Sequence, residues 1–183
     1  MTTPPFAPVT DDDIRTVAAQ LGRPARNVVG VAARCACGAP AVVATAPRLD
    51  DGTPFPTFYY LTLPSATVAM SSLEAAQVMN EYNAMLENDE SLRESYRAAH
   101  ESYLADRATA GEVPEIDGIS AGGMPARVKC LHALAAHALA AGEGVNPIGD
   151  LALGATDWSI DVCACADHHA RSEQPADGTE ERR

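Results

Sequence analysis

Val28-Val29-Gly30-Val31-Ala32, then Cys35-Ala36-Cys37-Gly38, then Ala41-Val42-Val43-Ala44-Thr45 is the stretch whose reading decides the fold. Two apolar, β-branched runs flank a glycine-containing turn, the pattern of two strands folded back on each other. Thr57-Phe58-Tyr59-Tyr60-Leu61-Thr62 supplies a third, aromatic run. The prolines of Pro47-Arg48-Leu49-Asp50-Asp51-Gly52-Thr53-Pro54-Phe55-Pro56 make the segment between the last two a loop. A small antiparallel sheet with the cysteine turn at one tip follows.

Helical patterns surround this sheet. Thr10 before Asp11-Asp12-Asp13 reads as an N-cap with an acidic first turn. Ile14, Val17, Ala18 and Leu21 then repeat at helical spacing, and Gly22 stops the element. From Ser65 to Gly111 the period is again helical, with Ser71 and Glu74 as a capping box and a restart at Asn88-Asp89. Leu92, Tyr96, Ala99 and Tyr103 form one stripe. Gly122-Gly123-Met124-Pro125 is expected to open a strong helix over Ala126–Ala141, followed by a short turn near Leu151. The expected fold is α+β: one helix-rich domain over 10–165, a Pro-rich leader over 1–9, and a disordered polar tail over 166–183.

A chain of 183 residues with 46% hydrophobic content can bury one sizeable core. Its net charge of −12 argues against nucleic acid and against anionic membrane surfaces. No apolar run is long enough to span a bilayer, and Met1-Thr2-Thr3-Pro4-Pro5 does not resemble a secretion signal. A cytoplasmic protein with reduced thiols is the expectation. The odd count of five cysteines points the same way.

Those cysteines lie in three places: Cys35 and Cys37, Cys130, and Cys163 and Cys165. Thiols far apart in sequence that converge in a fold suit a metal centre, either zinc with four N or S ligands or an iron–sulfur cluster. The expected set is Cys35, Cys37, Cys130 and Cys163, with Cys165 or His132 as substitutes, and small buried hydrophobes are the alternative. The glycine-rich run before the expected helix, with Gly122, Gly123, Arg127 and Lys129, suggests a cradle for a small anionic ligand, against an ordinary glycine connection. His132 and His137 would lie about 140° apart around a helix, so they should not share an ion. Cys130 with His132 or His137 as base is a candidate thiol enzyme, and His100 borders the tyrosine stripe as a further candidate. His168 and His169 are expected to be solvated. A third class is a non-catalytic adaptor that uses the tyrosine-lined helices as a partner surface.

Arg34-Cys35-Ala36-Cys37-Gly38-Ala39-Pro40, Ala46-Pro47-Arg48-Leu49 and Asp51-Gly52-Thr53-Pro54-Phe55-Pro56-Thr57 resemble the actinobacterial domain of unknown function 501 family. The likeness continues through Leu73-Glu74-Ala75, Ala99-His100, Gly118-Ile119-Ser120-Ala121-Gly122-Gly123-Met124-Pro125, Arg127-Val128-Lys129-Cys130-Leu131-His132, His137 and Gly144-Val145-Asn146-Pro147-Ile148-Gly149. It covers about residues 23–163 and brings no known activity. The resemblance implies a bacterial cytoplasmic protein, often encoded near a septum-formation protein and an exopolyphosphatase-like enzyme, which is the basis for a division-related partner. It also gathers the cysteines, Arg48, His100, the glycine loop and His132 toward one pocket.

Overall fold

The computed structural model describes residues 5–165. The tail over 166–183, with His168 and His169, lies outside the described residues, as do residues 1–4 of the leader. The sheet is the expected one. Strand β1 (Val28–Arg34) pairs antiparallel with β2 (Pro40–Thr45), and β2 pairs antiparallel with β3 (Tyr59–Leu61). β2 is the central strand and every residue in it is buried, which is why it reads as a continuous apolar run. Phe6 and Ala7 of the leader lie against β1, where Ala7 exchanges backbone hydrogen bonds with Val31 at 2.9 Å in each direction. Gly30 permits this approach, because a Cβ there would strike the Phe6 ring and the Ala7 carbonyl.

Helix α1 (Asp11–Leu21) begins as its sequence requires. Thr10 and Asp13 form a reciprocal capping box, and Gly22 closes the helix in the left-handed region. Helices α2 (Pro64–Ala75), α3 (Val78–Asn88) and α4 (Glu90–Ala108) follow the sheet. The Ser71–Glu74 box does not exist, because α2 starts earlier at Pro64, whose fixed φ suits a first turn. Ser71 and Glu74 are free to make tertiary contacts instead. Asp89 does restart the register, accepting from the Leu92 amide at 3.0 Å.

Tyr96, Ala99 and Tyr103 of α4 are fully buried. Tyr103 packs edge-on against Phe58 and Tyr59, and its hydroxyl accepts from the Phe58 amide. The tyrosine stripe is therefore core, and a partner surface built on it is ruled out by burial.

The largest departure is in the last helical region. Helix α5 runs from Leu131 to Ala141, not from Ala126, and α6 (Pro147–Gly154) completes the bundle. Two forces hold 122–130 out of the helix. Asn83 of α3 bonds the Val128 amide at 2.8 Å and the Val128 carbonyl at 3.1 Å. Gly122, with φ +69°, turns its carbonyl onto the amides of Lys129 at 2.7 Å and Cys130 at 3.3 Å. Among the described residues, no helix is long and apolar enough to cross a membrane.

Candidate functional site

The turn after β1 is shaped by its own backbone. Gly38, at φ +89°, donates to the Cys35 carbonyl at 2.7 Å, and the Cys35 amide reaches Ala39 across the hairpin at 2.9 Å. Arg34 braces the turn from outside. One guanidinium nitrogen reaches both Asp13 of α1, at 2.6 Å, and the Gly38 carbonyl, at 3.0 Å. That pairing, with the Thr10 cap, holds the Asp13 carboxyl well below the usual carboxylate range.

The end of the described chain returns to this turn. Trp158 donates to Ser65 Oγ at 3.0 Å, and the Ala36 amide bonds the Ile160 carbonyl at 3.0 Å. The result is a cluster of Cys35, Cys37, Cys163 and Cys165, with all four sulfurs within 4.8 Å of one another. Cys37 Sγ is 3.6 Å from Cys165 Sγ, which is 3.8 Å from Cys35 Sγ. These separations far exceed a disulfide bond length of about 2.05 Å.

The thiols are electrostatically unequal. The Ala39 amide draws the Cys37 thiol down to about 7, whereas burial pushes Cys35 and Cys165 up. Without a cation, one ionised sulfur opposes ionisation of its neighbours. Four cysteines this close could hold a metal ion.

Cys130 does not join them. It is the N-cap of α5 and belongs to a separate group with Glu74 of α2 and His132, whose donor atoms also lie within 4.8 Å of one another. The expected set of Cys35, Cys37, Cys130 and Cys163 is corrected here: Cys165 takes the place given to Cys130. Chain topology is the reason, since the return of the C-terminal segment brings both of its cysteines to the turn. Glu74 Oε1 accepts from the Leu131 amide at 2.7 Å and lies 3.1 Å from His132 Nδ1, so it caps α5 in place of the cysteine. His132 Nε2 is 3.2 Å from both the Thr67 carbonyl and Ser71 Oγ. Cys130 and Glu74 raise the His132 imidazole to about 9.

His137 lies elsewhere on α5, fully buried and stacked on Tyr59, with Nδ1 facing the Asn146 amide at 3.1 Å. Burial pushes it down to about 4, so it is a core imidazole and not a partner of Cys130. His100 Nδ1 lies 2.8 Å from Ser120 Oγ, tying α4 to the glycine loop.

The expected anion pocket is only partly assembled. Gly122, Gly123, Lys129 and Cys130 line a recess of about 510 Å³. Arg127 is exposed and outside its lining. Arg48 is spent on a two-pronged pair with Glu115, at 2.8 and 2.7 Å, and on the Gly52 carbonyl at 2.6 Å. Gly122 and Gly123 are also needed for packing, because side chains there would strike Leu134 and the Arg127 carbonyl. A larger cavity of about 690 Å³ is lined by Cys130, His132, Thr67, Tyr60, Leu61 and Val68 among others.

Sequence reasoning missed Glu74 and gave Cys165 only as a substitute ligand. Cys165 carried a usable signal, because Cys-Ala-Cys occurs twice, at 35–37 and 163–165. Glu74 carried none beyond the family likeness, since nothing local links it to a helix that starts 57 residues later.

No curated protein and no solved structure matches the chain. Residues 31–154 match one family model, a span that holds Cys35, Cys37, Glu74, Cys130 and His132 but not Cys163 or Cys165. That span is more than half of the chain, which therefore belongs to the family described as Protein of unknown function (DUF501).

Proposed function

We infer that Cys35, Cys37, Cys163 and Cys165 hold one zinc ion in a closed structural centre that fastens residues 155–165 to the sheet. The observation that carries this is the sulfur spacing. Zinc bonds thiolate at about 2.3 Å, so the edge of a tetrahedral four-sulfur site is about 3.8 Å. The Cys37–Cys165 and Cys165–Cys35 sulfur separations of 3.6 and 3.8 Å lie close to that edge. Sulfurs bound to different irons of a cluster stand further apart than ligands of one ion, so the 4.8 Å envelope favours a single ion over an iron–sulfur cluster. Four thiolates leave no open coordination position, which makes this centre architectural and leaves chemistry to another part of the molecule.

The recess beside Cys130 suits a small anionic ligand through Lys129, with no help from Arg48 or Arg127. Elemental analysis of the full chain tests the zinc reading. Zinc should be bound and should fall by one ion per chain in Cys37→Ser and Cys165→Ser. Iron with visible absorbance would replace this reading with a cluster, and zinc content indifferent to both substitutions would end it.

A further inference from the structure

The second group differs chemically from the first, and we propose that Glu74, Cys130 and His132 form a second metal site with three protein ligands and one coordination position open to the cavity. A carbonyl oxygen can only accept, so the contact of His132 Nε2 with the Thr67 carbonyl places the ring proton on Nε2. The Nδ1 lone pair then faces a carboxylate oxygen 3.1 Å away. A cation on the line between them satisfies both, either the proton of a His–Glu ion pair or a metal ion. A third donor, the Cys130 sulfur, lies within the same 4.8 Å envelope, which suits a metal ion rather than a single proton.

The surroundings match what a ligating histidine needs. Its far nitrogen is held by a backbone carbonyl, which fixes the tautomer and the ring plane. One sulfur, one imidazole and one carboxylate form a borderline donor set that fits zinc or cobalt(II).

Three protein ligands and a vacant fourth position is the arrangement of catalytic zinc sites. Here Cys130 and His132 are both in the wall of the cavity of about 690 Å³. Cys130 also borders the recess of about 510 Å³ that holds Lys129. The ligand class that fits is a small molecule with an oxyanion or polarised oxygen for the ion and Lys129, and an apolar body along Tyr60, Leu61 and Val68. Such an ion would act as a Lewis acid on that oxygen or lower the pKa of a bound water. The site shares no ligand with the four-thiol centre, so either can fail without the other.

The test uses the full chain loaded with zinc and dialysed. Wild-type protein should retain about two zinc ions per chain, and Cys130→Ser and Glu74→Gln should each retain about one. Retention of that remaining ion by the four-thiol centre also reports that each variant is folded. Cys37→Ser should keep the ion at Cys130. Loaded with cobalt, that variant should show a thiolate-to-cobalt band that shifts when azide is added, as an open position requires. Zinc content unchanged by Cys130→Ser and Glu74→Gln overturns the proposal. Rapid alkylation of Cys130 by iodoacetamide in the zinc-loaded chain does the same, by revealing a free thiol. An azide-insensitive cobalt band overturns the open position.

Discussion

The two sulfur-bearing clusters are built from opposite materials. The first joins two copies of the same short segment, Cys-Ala-Cys, from a hairpin turn and from the end of the described chain. All its donors are alike, and its purpose can be met by closure alone. The second joins three unlike donors at the start of α5, with one wall supplied by α2. Cys130 borders two cavities and His132 one of them. Identical ligands that fill a coordination sphere hold a fold together; mixed ligands that leave it incomplete can meet a substrate. Substitutions should therefore separate them, with stability answering to the first and ligand chemistry to the second.

The largest effect should come from Cys165→Ser. Structural zinc contributes its binding energy to folding. A loss of several kcal/mol should lower the midpoint of thermal unfolding by about 10 °C, at roughly 2–4 °C per kcal/mol for a chain of this size. Cys130→Ser should lower it by no more than about 3 °C, because the Glu74 cap on the Leu131 amide remains. Scanning calorimetry of the two variants beside wild type decides it. Equal shifts would erase the distinction between a fastening site and a working one.

A second, smaller effect concerns how the first cluster is braced. Asp13 is nearly buried, caps its own helix and pairs with Arg34, which in turn bonds the Gly38 carbonyl. Asp13→Asn should cost about 2 kcal/mol, the sum of a weakened cap and a partly buried ion pair. Its folded-state pKa lies below its unfolded value, so its contribution is fully present above about pH 4 and fades as pH falls below that. Urea midpoints between pH 3 and pH 7 should drop more steeply in wild type than in Asp13→Asn. Acid release of metal affects both proteins alike and cancels in the difference. Parallel curves would mean that the bracing pair does not support the cysteine turn.

How much of this was legible depended on the range of the forces involved. The hairpin was legible because β-branched runs and a Gly38 turn are local signals. Helix α1 was legible through its cap, and the Tyr96–Tyr103 stripe through its period, though the stripe's burial in the core was not. The start of α5 was not legible, because it is set by Asn83 from another helix and by the Gly122 carbonyl, neither of which leaves a mark on residues 126–130. Another long-range contact explains the partition of the cysteines. Sequence shows that Cys130 is a candidate ligand, but only the placement of α2 against α5 shows that its partners are a carboxylate and an imidazole and not other thiols.

The smallest effect is also the sharpest for the second cluster, since Glu74 has two duties there. It accepts the Leu131 amide, which any side-chain oxygen can do, and it presents a charge to His132, which only a carboxylate can do. Glu74→Ala removes both and should cost about 1 kcal/mol, the usual value of a lost helix cap. Glu74→Gln keeps the oxygen for the amide, so in metal-free protein its stability should stay within about 0.5 kcal/mol of wild type. Metal retention at Cys130 should nevertheless fall in both, because an amide oxygen is a poor substitute for a carboxylate on zinc. Urea titration of chelator-treated protein and zinc content of the loaded protein read the two duties apart. If Gln restored the metal along with the cap, the charge at position 74 would be idle, and the second cluster would reduce to a capped helix with a thiol at its end.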